Sequence, residues 1–237
     1  EAALREGTIG AVLVEPLLGR GGVIVPPSRF LPELARLARA HGALLIADEV
    51  WTGLGRSGSW LASIEAGITP DLICLGKGLG GGLPLSACLG AAELMGEWSR
   101  AEEVVHTSTF AGAPLACAAA LALLDVLHRQ RLVERAAEVG ARWRAALQEE
   151  AQRAAGVEVR GAGFMIGIDA APLEGGAVAL QRRLLERGYL TSTGGGAREV
   201  LVLTPPLTIA EPLLDAFTDA LGAALTELAP RQGPAGR

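Results

Sequence analysis

The 237-residue chain contains one lysine. Lysine and arginine together number 21, and Lys77 is the only position among them that is not arginine. Cysteine and histidine are equally sparse, at three each. Cys74, Cys88 and Cys117 form no CxxC pair and each lies in an apolar run. That excludes a disulfide framework or a zinc-ligand pattern and points to reduced, core-type thiols in a cytoplasmic protein. His41, His106 and His128 are too dispersed for metal-ligand spacing, so no metal is expected. No apolar run reaches the roughly 18 residues of a membrane span. The longest uncharged stretch, 107–124, is interrupted by Gly112 and Pro114. No segment is strongly basic and the net charge is −5, which argues against a nucleic-acid partner. The amino terminus carries no pattern of charge, apolar core and small-residue cleavage site.

Two phosphate-binding glycine motifs are also missing. Gly76-Lys77 resembles the end of a P-loop, but that motif requires glycine where Asp71 stands and a hydroxyl residue where Gly78 stands. No GxGxxG opens a helix after a strand either. A nucleotide-binding α/β protein is therefore disfavoured.

What is present is half hydrophobic by count and long enough to bury one large core or two modest ones. Short, continuously apolar runs alternate with helical periodicity through the first part. Runs 9–14, 43–47 and 72–75 read as strands, 29–40 as a helix with Ser28 as its N-cap and Gly42 as its stop, and 60–66 as a short helical stretch. Such strands with helices between them predict a mostly parallel sheet covered on both faces. Residues 84–89 read as one more strand. Helices are expected over 113–127, beginning at Pro114, and over a long charged segment, 129–155. The remainder reads strand-Gly-strand over 157–168, helix over 177–187, a strand pair over 189–203 around Gly194 to Gly196, and a final amphipathic helix over 209–228. The RQGPAGR tail is expected to fray.

Lys77 and Asp48 each end an apolar strand. Ligands of open parallel sheets bind at the carboxyl ends of the strands, so an amine and a carboxylate there face one crevice. Arginine stays protonated, whereas a lysine amine can lose its proton and attack a carbonyl. A sole lysine in such a place suits a pyridoxal phosphate site, with the lysine forming the imine and the aspartate pairing with the pyridinium nitrogen. The bland reading, a leftover surface charge and a glycine-shaped turn, stays open on these features alone.

Taken in order, the segments EPLLGRGGVIVPP (15–27), DEVWTGLGRSG (48–58), PDLICLGKGLGGGLPLSA (70–87), STFAGAPLACAAALALL (108–124), VRGAGFMIGI (159–168) and LTPPLTI (203–209) resemble the class III aminotransferases, fold-type-I enzymes that use pyridoxal 5'-phosphate. The resemblance implies an α/β fold: part of the large cofactor-binding domain over 1–127, then a smaller α+β domain over 128–237. It implies transfer of an amino group between an amine or amino acid and a 2-oxo acid, in a homodimer. Lys77 would be the Schiff-base lysine and proton shuttle, and Asp48 the partner of the pyridinium nitrogen. Val50 would pack on one ring face, Thr109 would reach the cofactor phosphate of the partner subunit, and Glu15 would lie on the substrate side.

Three departures accompany the resemblance. Trp51 stands where the family usually has Gln, so a contact to the cofactor's phenolic oxygen is in question. Val202 stands where many members carry the Arg that binds a substrate carboxylate, and an apolar side chain cannot make that contact. Arg198 is near in sequence, but strand alternation does not by itself bring it to the site. Third, the chain begins near the middle of a typical member, so it lacks the Gly-Ser/Thr phosphate loop and a stacking aromatic, and an exposed apolar sheet edge is expected. Two alternatives remain at this point: a non-catalytic remnant, or another reaction of the family, such as aminomutase, racemase or decarboxylase chemistry.

Overall fold

The computed structural model describes residues 1–99 and 108–229. His106 and the RQGPAGR tail lie outside the described residues. The chain divides into two compact units, each of which has its own core. The first holds residues 1–16, 26–54 and 60–131. The second holds 17–25, 55–59 and 132 onward. The division thus falls at Leu132 rather than at residue 128, and two short loops from early in the chain belong to the second unit.

In the first unit, a short helix α1 (Ala2–Arg5) precedes β1 (Ala11–Val14), α2 (Phe30–Ala40), β2 (Leu44–Asp48), α3 (Ala62–Glu65), β3 (Leu72–Leu75), β4 (Ala87–Gly90), α4 (Ala92–Met95) and α5 (Pro114–Arg129). The sheet order is β1-β2-β3-β4. The first two pairings are parallel, because α2 and the segment containing α3 carry the chain back to the start of the next strand. The last is antiparallel. Between β3 and β4 lies only a 3-10 turn, Lys77–Gly80, followed by Gly81 and Gly82 at positive φ. That connection is too short for a helical crossover, so the chain reverses instead.

Leu31, Ala38 and Leu45 are buried together, with Leu34, Leu37, Val12 and Val14 packed against them, so α2 lays its apolar stripe on one face of the sheet. Further along the same face, Leu75 packs with Leu79 and with Ala120 of α5. The opposite face is less covered within this chain. There Leu13 is 65% exposed and Cys88 is also exposed. The apolar strands of the described chain are therefore closed on one side only. A second correction concerns α2: Ser28 does not cap it. The N-cap position is Arg29, and no side chain bonds the first turn. Gly42 ends the helix as expected, at φ +69°.

The second unit contains α6 (Leu132–Ala155), β5 (Val159–Ala162), β6 (Met165–Asp169), α7 (Gly176–Glu186), β7 (Ser192–Gly194), β8 (Val200–Leu203) and α8 (Glu211–Leu228). Its sheet is antiparallel throughout, in the order β5-β6-β8-β7. The inner faces of α6 and α8 meet Ile166, Ile168 and Leu201. Trp143 of α6 anchors this core. Its Nε1 donates to Leu214 O at 3.2 Å and to Thr218 Oγ1 at 3.1 Å, and its ring meets Phe164 and Phe217 edge-on. One turn earlier, Gly140 is required: a Cβ there would lie 2.4 Å from Gly163 O in the β5–β6 turn. Among the described residues no helix is long and apolar enough to cross a membrane, and no group of three His, Cys, Asp or Glu side chains could hold a metal.

Candidate functional site

Register assembles the site from neighbouring strand ends. Val14 pairs with Ala47 and Asp48 with Cys74, all in parallel alignment. Glu15, Asp48 and Lys77 therefore leave the same, carboxyl edge of the first unit's sheet. Asp48 is half-buried, and its Oδ1 accepts the Val50 N–H at 3.0 Å. That local bond turns the chain out of β2 and holds the carboxylate in one orientation.

The loop after Asp48 rests on a buried carboxylate that the sequence motif does not reveal. Glu49 is 1% exposed. It accepts the Ser63 N–H at 2.7 Å and the Thr52 hydroxyl, while its own N–H donates to Cys74 O at 2.9 Å. Glu49 thereby ties the loop to both β3 and the start of α3. Nothing in the pattern Asp48-Glu49 says which carboxylate faces the crevice and which is structural. Only the alternation of side-chain direction along β2 separates them.

Lys77 follows β3 with φ +43°, in the left-handed region that residues with a Cβ seldom occupy. Gly76 before it is extended, and a Cβ there would lie 3.2 Å from Val50 Cγ1. Glycine at 76 therefore lets Val50 seat directly against the backbone that carries Lys77. Gly81 serves the turn: at φ +58°, a Cβ would stand 3.3 Å from the carbonyl oxygen of Ala119 in α5. The lysine amine is placed by an aromatic: its Nζ lies 4.9 Å from the centroid of the Trp51 ring.

The remaining candidate residues are less gathered. Glu15 is half-buried at the end of β1, and Thr109 is exposed in the turn that leads into α5. The motif 48–58 proves divided: Asp48 to Leu54 belong to the first unit, Gly55 to Gly58 to the second. In the second unit Arg56 donates to the carbonyls of Pro205 at 2.6 Å and Phe164 at 3.1 Å, and burial lowers its guanidinium pKa to about 10. It is an internal strut that stays charged at neutral pH. Val202 is 2% exposed within β8, opposite Ser192. Arg198 lies in the β7–β8 connection, with its Nε donating to Thr193 Oγ1 at 3.0 Å.

The donor set at Asp48, Val50 and Lys77 fits the ring end of a pyridoxal-type molecule. It offers an amine without a carboxylate partner among the described residues, a fixed carboxylate and a branched aliphatic side chain against Gly76.

A comparison with known proteins decides the family. The profile described as Aminotransferase class-III matches residues 2–225. The chain belongs to that family. Acetylornithine aminotransferase of Mycobacterium tuberculosis (strain H37Rv) is 42% identical over 228 residues, 94% of this chain and 54% of that protein. Diaminobutyrate–2-oxoglutarate aminotransferase of Rhizobium meliloti is 40% identical over 247 residues, 96% of this chain and 52% of that protein. Among solved structures, an amine transaminase from an uncultivated Pseudomonas species, in its PLP-bound form, superposes with a TM-score of 0.87 at 38% identity, over 96% of this chain and 54% of that one. This class-III chain thus spans about half the length of the curated relatives it matches, and its α/β fold is that of such aminotransferases.

Proposed function

We propose that the protein is a pyridoxal-phosphate-dependent aminotransferase that moves an amino group between an amine or amino acid and a 2-oxo acid in two half-reactions. The observation that carries this reading is the chain's sole lysine, just after β3, and Asp48, at the end of the neighbouring β2, on one carboxyl edge of the sheet, with Val50 seated against Gly76. The relatives named for acetylornithine and for diaminobutyrate with 2-oxoglutarate support it.

Pyridoxal phosphate, when bound, supplies an aldehyde that captures amines and a protonated ring that withdraws electrons. On this reading Lys77 Nζ would hold the cofactor's aldehyde carbon and would be freed by a substrate amine. Its amine would then be the group that carries a proton from the substrate carbon to the former aldehyde carbon, two bonds away. Asp48 accepts the ring N–H and keeps the ring protonated. Val50 supports one face of the ring. Trp51, in place of Gln, offers an indole N–H and a broad apolar surface.

Thr109 is assigned to the phosphate of a cofactor on a partner subunit, and the protein to a cytoplasmic homodimer. The outer side of α5 supports this: Phe110, Leu115 and Leu121 are exposed apolar side chains in and beside that helix. The first unit is then the cofactor-binding part and the second the smaller domain. Glu15 is assigned to the substrate side. With Val202 buried and apolar, a substrate carboxylate must find its cation elsewhere.

The reading is tested by supplying the expressed protein with pyridoxal phosphate, acetylornithine or diaminobutyrate, and 2-oxoglutarate, and following glutamate. Formation of glutamate that requires the oxo acid and disappears in Lys77→Arg is expected. Consumption of the donor without any oxo acid would instead point to a racemase, decarboxylase or aminomutase.

A further inference from the structure

Among the described residues no ionisable side chain is as deeply buried as Glu49, and Thr52 and Ser63, to which it bonds, are closed off with it. Burying a carboxylate is costly even when hydrogen bonds compensate it, so a loop that only had to leave β2 would be as stable with an apolar side chain there. The bonds at this residue run in three directions. Its N–H donates to Cys74 O of β3 at 2.9 Å, one step beyond the last strand pairing, Asp48 with Cys74. Its carbonyl accepts the Gly53 N–H at 3.0 Å. Its carboxylate accepts the Ser63 N–H of α3 at 2.7 Å and the Thr52 hydroxyl. Glycine at 53 is fitted to this closure, since a Cβ there would lie 2.9 Å from Glu49 O.

Asp48 has no such anchorage. Among the described residues its one hydrogen bond is local, from the Val50 N–H at 3.0 Å. That bond travels with the backbone, so it orients the carboxylate within its own loop but cannot hold it relative to β3, the strand that leads to Lys77. The bonds of Glu49 can. Successive side chains of a strand point to opposite faces, so a Glu49 locked in place on one side presents Asp48 on the other.

We propose that Glu49 is a positioning residue that acts through Asp48 on a protonated aromatic nitrogen. This rests on Asp48 being the partner of the pyridinium nitrogen. A hydrogen bond to a charged group contributes roughly 10- to 100-fold in affinity, and it weakens steeply when the angle is poor. Without the Glu49 carboxylate, Asp48 keeps its charge and loses its aim.

Two aldehydes that differ at one ring atom separate this from a general effect on the fold: pyridoxal phosphate and its 1-deaza analogue, in which C–H replaces the ring nitrogen. Borohydride traps either on Lys77, but only the first offers Asp48 an N–H. The 237-residue chain and its variants are labelled with each at limiting concentration, and label on the Lys77 peptide is measured by mass spectrometry. The ratio for the two aldehydes is divided by that of the urea-unfolded chain, which removes their difference in intrinsic reactivity. Circular dichroism under the labelling conditions establishes that each variant is folded. The unaltered chain is expected to favour pyridoxal phosphate by roughly tenfold or more. Asp48→Asn and Glu49→Ala should each lose most of that preference, the double variant should match Asp48→Asn, and Glu49→Gln, which keeps one acceptor, should fall between. If Glu49→Ala lowers labelling by both aldehydes equally and keeps the ratio, while Asp48→Asn loses it, the proposal is overturned and the role of Asp48 stands. Should Glu49→Ala not fold, an unchanged ratio in Glu49→Gln overturns it in the same way. Equal labelling by the two aldehydes in the unaltered chain overturns the role of Asp48 and the proposal with it.

Discussion

Lys77 Nζ sits over the indole of Trp51, 4.9 Å from the ring centroid, at the corner where β3 ends. The arrangement gives the chain's one primary side-chain amine a resting place that is not an ion pair. A contact of this kind at a partly exposed site amounts to about 0.5–1 kcal/mol, roughly a two- to fivefold effect on a rate that requires the amine to leave the ring. Trp51→Ala should therefore speed capture of an aldehyde by Lys77 by roughly that factor, and Trp51→Phe should change it less. The measurement is the rate of borohydride-trapped pyridoxyl label at Lys77. A slower rate in Trp51→Ala would show that the indole presents the amine rather than restraining it.

The backbone at Lys77 is strained, at φ +43°. A left-handed residue with a Cβ costs about 1–2 kcal/mol that glycine does not incur. Lys77→Gly should thus be more stable than Lys77→Ala by about 1 kcal/mol in urea unfolding, while both lose the label at position 77. Equal stability of the two would mean that the left-handed conformation is not held in solution.

Glu49 supports the loop between Asp48 and α3 from a fully buried position. Glu49→Ala removes the acceptor of the Ser63 N–H and of one Thr52 hydroxyl hydrogen bond, and should cost about 2–4 kcal/mol. Glu49→Gln retains an acceptor for one of them and should cost about half as much. Denaturant midpoints of the two variants measure this. Identical losses would show that volume, not hydrogen bonding, is what Glu49 contributes.

Cys74 titrates above the ordinary thiol range, because burial, Cys88 and Asp48 all disfavour its thiolate. At mildly alkaline pH less of Cys74 is ionised than of an unhindered cysteine, so its alkylation lags. In Asp48→Asn one cause is removed and the Cys74 alkylation profile should move to lower pH. Rates at Cys74 from peptide mapping across pH check it. An unmoved profile would place the Asp48 charge too far away to act.

Much of this architecture was legible because apolar runs and breakers carry it. Gly42 and Pro114 mark helix ends where the structure has them. The break between α5 and α6 was read two residues early, because Arg129 and Gln130 look helical and the chain turns at Arg131 with φ +50°. What could not be read was partnership. The run of β1 is continuously apolar, yet Leu13 is exposed, since apolar character does not say which face another element will cover. The reversal at β4 depended on counting residues between strands. At the site, Lys77 and Asp48 stand out by composition and position. Glu49 does not, because its role arises from burial and from bonds to β3 and α3 rather than from any local motif.

Lys77 is proposed to bind pyridoxal phosphate covalently. Because the chain has no other lysine, one experiment addresses it. The protein is mixed with pyridoxal phosphate, reduced with borohydride and mapped by mass spectrometry. A phosphopyridoxyl group is expected on the peptide that contains Lys77 and none in Lys77→Arg. Label confined to the amino terminus, with Lys77 unmodified, would contradict it.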